Sequence, residues 1–128
     1  MRVGATANNS LSVSGGIAGG SSPGGVFDIR AMDIPGARVV CCRGELDISS
    51  EEQVVAEIAR SLGQPLTSIV LDLRDLTFAD CTVIRCIEYA AAACDRCHVA
   101  LYVDAGETVR RLVKKLGCDQ LGAAEDYL

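Results

Sequence analysis

The strongest constraint on the fold is an alternation, within residues 26–128, between short apolar runs and segments with helical periodicity. Apolar runs at 26–32 and 37–43 flank a turn signal at 33–36, which predicts an antiparallel hairpin. Two later runs, at 68–73 and 98–103, are each followed by a helical segment. The predicted order is β-β-α-β-α-β-α, an α/β fold with a mixed, mostly parallel sheet of four to five strands and three to four helices.

The predicted helices have recognisable ends. Ser49 and Glu52 have the spacing of a capping box that opens the first helix. Asp80 is the expected N-cap of the second helix. The third helix is expected over 107–116, with Gly117 at its C-cap.

The loops that follow the strands predict where ligands bind. Parallel strands joined by right-handed crossovers release these loops at one edge of the sheet, and ligands of open α/β sheets bind at that edge. We therefore expect a functional edge that gathers Glu45 and Asp47 from the first loop, Asp80, Cys81 and Thr82 from the second, and residues 104–107 from the third.

Composition divides the chain near residue 25. Residues 1–25 contain seven of the 13 glycines, five serines and a single charged residue, Arg2. We interpret 1–25 as a flexible Gly/Ser-rich tail and 26–128 as one domain. The chain has a net charge of -5, and 4% of its residues are aromatic with no Trp. A nucleic-acid partner is not expected, because proteins that bind nucleic acids use basic patches and aromatic side chains on which bases stack.

The sequence shows neither a membrane span of 18 or more apolar residues nor the apolar core of a signal peptide. It therefore predicts a cytoplasmic protein whose thiols are mostly reduced. There are seven cysteines. Four of them are expected to be small core residues, Cys41, Cys42, Cys86 and Cys94.

One cysteine pattern also suggests cofactors. Cys94, Cys97 and His98 form the Cys-x-x-Cys-His pattern of c-type haem attachment, but no export signal accompanies it. A thioredoxin-like role is disfavoured because the pair lies at a predicted helix C-terminus, where the helix dipole opposes a thiolate. Zinc needs four converging ligands, and the adjacent Cys41 and Cys42 point to opposite faces of a strand. No metal or cofactor is expected.

The sequence offers no catalytic arrangement. It lacks a serine that the single histidine would serve, a Gly-rich phosphate loop between strand and helix, and a paired His and carboxylate motif. We therefore expect no enzymatic activity.

A basic cluster, Arg110, Arg111, Lys114 and Lys115, occupies the polar face of the third predicted helix. Such a cluster is usually a solvated face. The alternative is a surface that meets an acidic partner.

Four short motifs, taken in order, resemble the STAS domain of bacterial anti-sigma factor antagonists. They are Gly-Glu-Leu-Asp at 44–47, Val-Leu-Asp-Leu at 70–73, Phe-Ala-Asp at 78–80, and Leu-Gly-Cys-Asp-Gln-Leu at 116–121. The resemblance covers residues 26–122. It implies a STAS-like fold and a protein that binds an anti-sigma factor, itself a serine kinase, and so releases a sigma factor. The implied partner-binding residues are Glu45, Asp47, Asp80, Cys81 and Thr82.

The chain departs from this family at the strand-to-helix turn. There the family usually has Asp-Ser-Ser-Gly or Asp-Ser-Thr-Gly, and the first hydroxyl is phosphorylated by the partner. Here the turn is Asp80-Cys81-Thr82-Val83. Cys81 occupies the phosphorylation position and Thr82 is the adjacent hydroxyl. Because a thiol is not a normal substrate of a serine kinase, the resemblance implies an antagonist without standard serine phosphorylation.

Several alternatives remain open. Cys81 at a helix N-terminus suggests a thiol-based redox sensor, although the nearby carboxylates of Asp47 and Asp80 disfavour a thiolate. A further alternative is a STAS subunit of a transport or signalling assembly. Both aspartates have a structural interpretation as helix caps. Finally, family members usually continue into a last helix that is here absent or reduced to a turn, which suggests an exposed surface and a homodimer.

Overall fold

The computed structural model describes residues 26–128, so the predicted tail at 1–25 lies outside the described residues. The elements, in chain order, are β1 (Phe27–Ile34), β2 (Ala37–Leu46), α1 (Glu51–Ser61), β3 (Ser68–Ala79), α2 (Thr82–Arg96), β4 (Ala100–Asp104) and α3 (Gly106–Lys115). Two 3₁₀ segments follow, Cys118–Gln120 and Gly122–Tyr127.

The described strands form one sheet in the order β1-β2-β3-β4. β1 pairs with β2 antiparallel, while β2 with β3 and β3 with β4 are parallel pairs. The predicted α/β class, the opening hairpin and the mixed, mostly parallel sheet are confirmed. β2 and β3 are the inner strands, and their pairing sets the position of the loops that follow them.

The core lies where α1 and α2 cover the sheet. Its largest fully buried side chains include Leu46, Ile58, Ile69, Leu71 and Ile87. Burial of each such side chain contributes about 1.5–3 kcal/mol relative to exposure. This shared core fixes α1 and α2 against the strands from which their loops emerge.

β2 and β3 extend further than the apolar runs predict. β2 continues to Leu46 and β3 to Ala79, and the two remain paired to the last residues. Their register shifts twice, between Cys41 and Arg43 and again after Gly44, so β3 carries extra residues in bulges. Gly44 lies at φ 93°, and a Cβ there would be 2.1 Å from the carbonyl oxygen of Val26.

The long β3 separates the third loop from the other two. β4 pairs with β3 only as far as Asp104, opposite Asp72, seven residues before Ala79. At about 3.3 Å per residue this is roughly 20 Å along the strand. The expectation that residues 104–107 share an edge with Asp80 was wrong. The last part of β3 contains polar residues, so the apolar run in the sequence ends before the strand does and the strand was predicted too short.

The helix ends also differ from the prediction. α1 begins at Glu51 after Ser50, and the Ser49 hydroxyl donates to Asp47, so Ser49 does not form a capping box. α3 ends at Lys115, and Leu116 is already extended at φ -90° and ψ 150°. Gly117 is not among the described glycines with positive φ, so the predicted glycine C-cap is absent there.

After α3 the chain forms 3₁₀ turns rather than a regular helix. The segment Gly122–Tyr127 packs on α2, with Ala124 fully buried and Leu121 nearly so. It therefore covers part of the helix that a shortened C-terminal region was expected to expose.

Candidate functional site

Asp47 and Asp80 emerge next to each other. Each directly follows the end of its strand, and the last strand residues, Leu46 and Ala79, are register partners. The Asp80 N–H lies 3.4 Å from the Leu46 carbonyl oxygen. The structure therefore brings together the two aspartates that the strand order predicts to meet.

A network of serine hydroxyls holds Asp47 in place. One oxygen of its carboxylate, Oδ1, accepts hydrogen bonds from the Ser49 hydroxyl at 2.6 Å and the Ser49 N–H at 3.0 Å. These bonds lower the pKa of the Asp47 carboxyl. The Asp47 N–H donates to the hydroxyl of buried Ser50 at 3.0 Å. The loop thus presents a charged carboxylate in a defined position.

The Asp80-Cys81-Thr82 turn begins α2. The residue at the N-cap position is Cys81 and not Asp80 as predicted, because α2 begins at Thr82. Asp80 still satisfies a first-turn donor, since its Oδ1 accepts the Thr82 N–H at 2.9 Å. Cys81 is exposed, whereas Thr82 is only 3% exposed. Of these two side chains, only the thiol is open to another molecule.

Glu45 lies inside β2 rather than in the loop after it. It is half-buried and pairs with Phe78 of β3. Its N–H donates to the Val26 carbonyl at 2.9 Å, and its carbonyl accepts from the Ser50 hydroxyl at 3.2 Å. The expectation of a loop residue was wrong because β2 continues to Leu46, but Glu45 is only two residues before Asp47.

An ion pair that sequence reasoning missed connects the first turns of α1 and α2. Arg85 donates from Nε to Glu51 Oε2 at 3.0 Å and from Nη2 to Oε1 at 2.7 Å. The Arg85 guanidinium lowers the pKa of the Glu51 carboxyl. Arg85 lies four residues after Cys81, hence on the same face of α2. The four-residue spacing in the sequence predicts that Arg85 shares a face of α2 with Cys81, but it does not predict the ion pair with Glu51 on α1.

Two exposed apolar residues also border the site. Ile48, directly after Asp47, is 70% exposed, and Phe78, two residues before Asp80, is 47% exposed. Exposed aromatic and aliphatic side chains beside charged groups are typical of protein-binding surfaces. The sequence signal that could have identified these two residues is an apolar side chain in a segment predicted to be a loop.

The other described cysteines differ from Cys81. Cys42, Cys86 and Cys94 are buried, and burial raises the pKa of the Cys86 thiol to about 12 and of the Cys94 thiol to about 11. Cys41 is half-buried, 3.5 Å from a carboxylate oxygen of Asp72. Neutral, packed thiols agree with the predicted core role of Cys42, Cys86 and Cys94. The same prediction was wrong for Cys41, which is only half-buried because it lies beside the Asp72 carboxylate rather than in the core.

Among residues 26–128, no group of three or more His, Cys, Asp or Glu side chains is arranged to hold a metal ion. The helices of the same range are all too short or too polar to cross a membrane.

Comparison with known proteins gives a consistent result. Residues 28–124 match the family model described as the STAS domain. No curated protein matches the chain. The unphosphorylated form of the anti-sigma factor antagonist SpoIIAA superposes with a TM-score of 0.58 at 22% identity, over 76% of this chain and 83% of that one.

A second solved structure, an anti-sigma factor antagonist from Mycobacterium paratuberculosis, has a TM-score of 0.61 at 18% identity. It covers 74% of this chain and 81% of its own. At these identities the likeness shows a common fold.

Proposed function

The chain belongs to the STAS domain family, and from this premise we propose that it is an anti-sigma factor antagonist. It binds a kinase-like anti-sigma factor in the cytoplasm and thereby releases a sigma factor, which regulates transcription. Its activity is competitive binding rather than catalysis. The fold it shares with two anti-sigma factor antagonists supports this proposal.

The observation that carries the proposal is the juxtaposition of Asp47 and Asp80 beside the exposed Cys81. The two carboxylates offer acceptors to N–H and guanidinium donors of a partner. Ile48 and Phe78 offer apolar contact at the same edge. A binding edge of this kind combines apolar area, which gives affinity, with charge, which gives specificity.

The proposal includes the absence of the family's phosphorylation switch. A phosphate at the start of α2 would add a charge of roughly -1.5 to -2 beside Asp47 and Asp80 and repel an acidic or apolar partner surface. Cys81 supplies no hydroxyl to receive it, and the Thr82 side chain is buried. Binding to the anti-sigma factor is therefore not reversed by serine phosphorylation.

The test combines partner capture with a phosphorylation assay. The full chain is used to capture proteins from its own cell extract for mass spectrometry. A captured kinase-type anti-sigma factor is then purified and incubated with ATP and either the unmodified chain, Cys81→Ser or Cys97→Ser. Cys97 is an exposed cysteine outside the site and serves as the matched control.

We expect tight binding and no phosphate incorporation for the unmodified chain and for Cys97→Ser. Cys81→Ser should gain phosphate and then lose affinity for the partner. Phosphorylation of the unmodified chain as fast as that of Cys81→Ser would contradict the proposal. Recovery of transporter subunits without any kinase-type protein would instead favour a STAS subunit of a transport or signalling assembly.

A second candidate function, thiol-based sensing, rests on the exposure of Cys81. Hydrogen peroxide would oxidise the Cys81 thiolate to a sulfenic acid and be reduced to hydroxide. This predicts that peroxide weakens partner binding by the unmodified chain and by Cys97→Ser, but not by Cys81→Ser. Equal sensitivity of all three proteins would exclude a sensor at Cys81.

A further inference from the structure

The outer face of α3 is strongly basic in an acidic protein. Four exposed cations lie on this helix, Arg110, Arg111, Lys114 and Lys115. The two lysines are the only ones in the chain. Together with Glu107 the four cations give α3 a net charge of +3. The chain's charge of -5 includes Arg2, so residues 26–128 carry -6 and the described residues outside α3 carry -9.

The cations of α3 are also less neutralised than those elsewhere in residues 26–128. Five arginines outside α3 have a carboxylate oxygen within 3.3 Å: Arg30, Arg38, Arg60, Arg74 and Arg85. On α3 only Arg111 has an ion pair, a 3.4 Å contact with Glu107 in which both side chains are mostly exposed. Within the part of the chain that the structure describes, Arg110, Lys114 and Lys115 have no ion-pair partner.

The helix that carries this basic face is held firmly against β3. Gly106 lies at φ 79°, and a Cβ there would be 2.6 Å from the Arg74 Cα, so α3 begins in close contact with the strand. The Thr108 hydroxyl donates to the Leu76 carbonyl at 2.8 Å, and Val109 is fully buried. The four cations are thus displayed on a fixed support, which lowers the entropy lost on binding.

From these observations we propose that the face of α3 formed by Arg110, Arg111, Lys114 and Lys115 is a docking surface for an acidic segment of a protein partner. The size of the surface favours a short segment over an extended polyanion. Charges interact strongly only within about 8–10 Å at physiological salt. A short acidic segment would meet the +3 helix alone, whereas a nucleic acid or an anionic membrane would also meet the surrounding carboxylates.

The four cations lie on α3, which packs on β3, whereas Asp47 and Cys81 lie before α1 and α2, so the proposal uses none of the residues of the proposed function and does not depend on it. The test uses a labelled twelve-residue peptide of alternating Glu and Ser, with fluorescence anisotropy at 50 and 300 mM NaCl. The comparison probes are the alternating Lys and Ser peptide, a twelve-nucleotide DNA strand and phosphatidylglycerol vesicles.

Three variants of the full chain are compared with the unmodified protein. The triple variant Arg110→Gln, Lys114→Gln, Lys115→Gln removes three charges from α3. The control Arg30→Gln, Arg43→Gln, Arg96→Gln removes three exposed cations elsewhere. The variant Arg110→Lys, Lys114→Arg, Lys115→Arg keeps every charge. Circular dichroism melting confirms that each protein is folded.

We expect the unmodified protein to bind the acidic peptide, more weakly at 300 mM NaCl. Removing three charges from α3 should weaken binding about tenfold, while the control and the charge-preserving variant should bind within about twofold of the unmodified protein. The proposal is overturned if the acidic peptide does not bind at 50 mM NaCl or the control loses as much affinity. Tighter binding to DNA or vesicles than to the peptide would also overturn it.

Discussion

Two adjacent side chains at the start of α2 differ in whether another protein can reach them. The Cys81 thiol is exposed, whereas the Thr82 side chain is buried and its N–H is bound to Asp80. A kinase would have to open the first turn of α2 to reach the Thr82 hydroxyl, and this would break the bond to Asp80. Burial thus makes position 81, and not its neighbour, the one that another molecule can reach.

The roles of Asp80 as a helix cap and as a partner ligand are separable by substitution. Asp80→Asn keeps an oxygen that accepts the Thr82 N–H but removes the charge, whereas Asp80→Ala removes both. We expect Asp80→Ala to lower the free energy of unfolding by about 1 kcal/mol, and Asp80→Asn to change it by less than about 0.5 kcal/mol. Urea denaturation measures both.

The same variants are then tested for binding to the anti-sigma factor. Both should bind less tightly, because the partner loses a charged acceptor. Unchanged binding by a stable Asp80→Asn protein would show that Asp80 acts as a cap alone.

Gly44 is a second residue whose identity is dictated by backbone geometry. At φ 93°, with a hypothetical Cβ only 2.1 Å from the Val26 carbonyl oxygen, alanine is both strained and obstructed. We expect Gly44→Ala to lower the free energy of unfolding by about 1–3 kcal/mol, measured by urea denaturation. Gly63→Ala is the control, since its Cβ would make an ordinary van der Waals contact of 3.4 Å with the Arg60 carbonyl oxygen. Equal losses in the two variants would show that the approach of β1 does not constrain Gly44.

At the scale of elements, the sequence predicts the strands well where burial creates an apolar pattern and poorly where it does not. The core part of β3 is apolar and was predicted, but its continuation contains Arg74, Asp75 and Thr77. These residues remain in a strand because β2 pairs with them. Pairing between segments that are distant in sequence cannot be predicted from local hydrophobicity.

The same distinction explains which parts of the site were predictable. Asp47 and Asp80 follow neighbouring parallel strands, so strand order alone predicts that they meet. Strand length decides where the third loop lies, and that length was underestimated for β3. The bidentate pair between Glu51 and Arg85 depends on the packing of α1 against α2, which no pattern within either helix reveals.

A buried ion pair connects β2 to α1. Arg38 Nη2 lies 3.2 Å from Glu57 Oε2, Arg38 Nε donates to the Ser61 hydroxyl at 2.8 Å, and Arg38 also pairs with Asp33. Arg38 and Glu57 are both nearly inaccessible. Glu57→Gln leaves the buried guanidinium with only the more exposed Asp33, so we expect a loss of about 2–4 kcal/mol in the free energy of unfolding.

The double variant Arg38→Met, Glu57→Leu removes both charges together. It should be more stable than Glu57→Gln, because no buried charge is left without its partner. Urea denaturation of the unmodified protein and both variants measures this order. A double variant less stable than Glu57→Gln would mean that the pair contributes net stability beyond the cost of burying its charges.

At the scale of the whole molecule, charge is arranged by surface. The carboxylates of Asp47 and Asp80 lie where β2 and β3 end, while α3 carries most of the unpaired cations found in residues 26–128. The net charge of -6 carried by residues 26–128 is therefore the sum of an acidic body and one basic helix. Two surfaces of opposite sign allow two binding events to be tested independently by salt and by substitution.

The carboxylates also predict how stability depends on pH. Hydrogen bonds from Ser49 lower the pKa of Asp47, and those from Arg85 lower that of Glu51. Burial raises the pKa of Asp72, but hydrogen bonds from the side chain and N–H of Arg74 outweigh it, so the net shift is also downward. In the unfolded chain these carboxyl groups titrate at about pH 4.

A lower pKa in the folded state stabilises the fold at pH values above the unfolded pKa, and this stability is lost as the pH falls through the folded pKa. We therefore expect the free energy of unfolding, measured in urea, to be nearly constant from pH 7 to 5 and to fall between pH 4 and 3. Asp72→Asn should be less stable than the unmodified protein at pH 7 and lose less on acidification, because one of the titrating groups is gone. If the unmodified protein were as stable at pH 3 as at pH 7, these carboxylates would not be bound in the folded state as the structure shows.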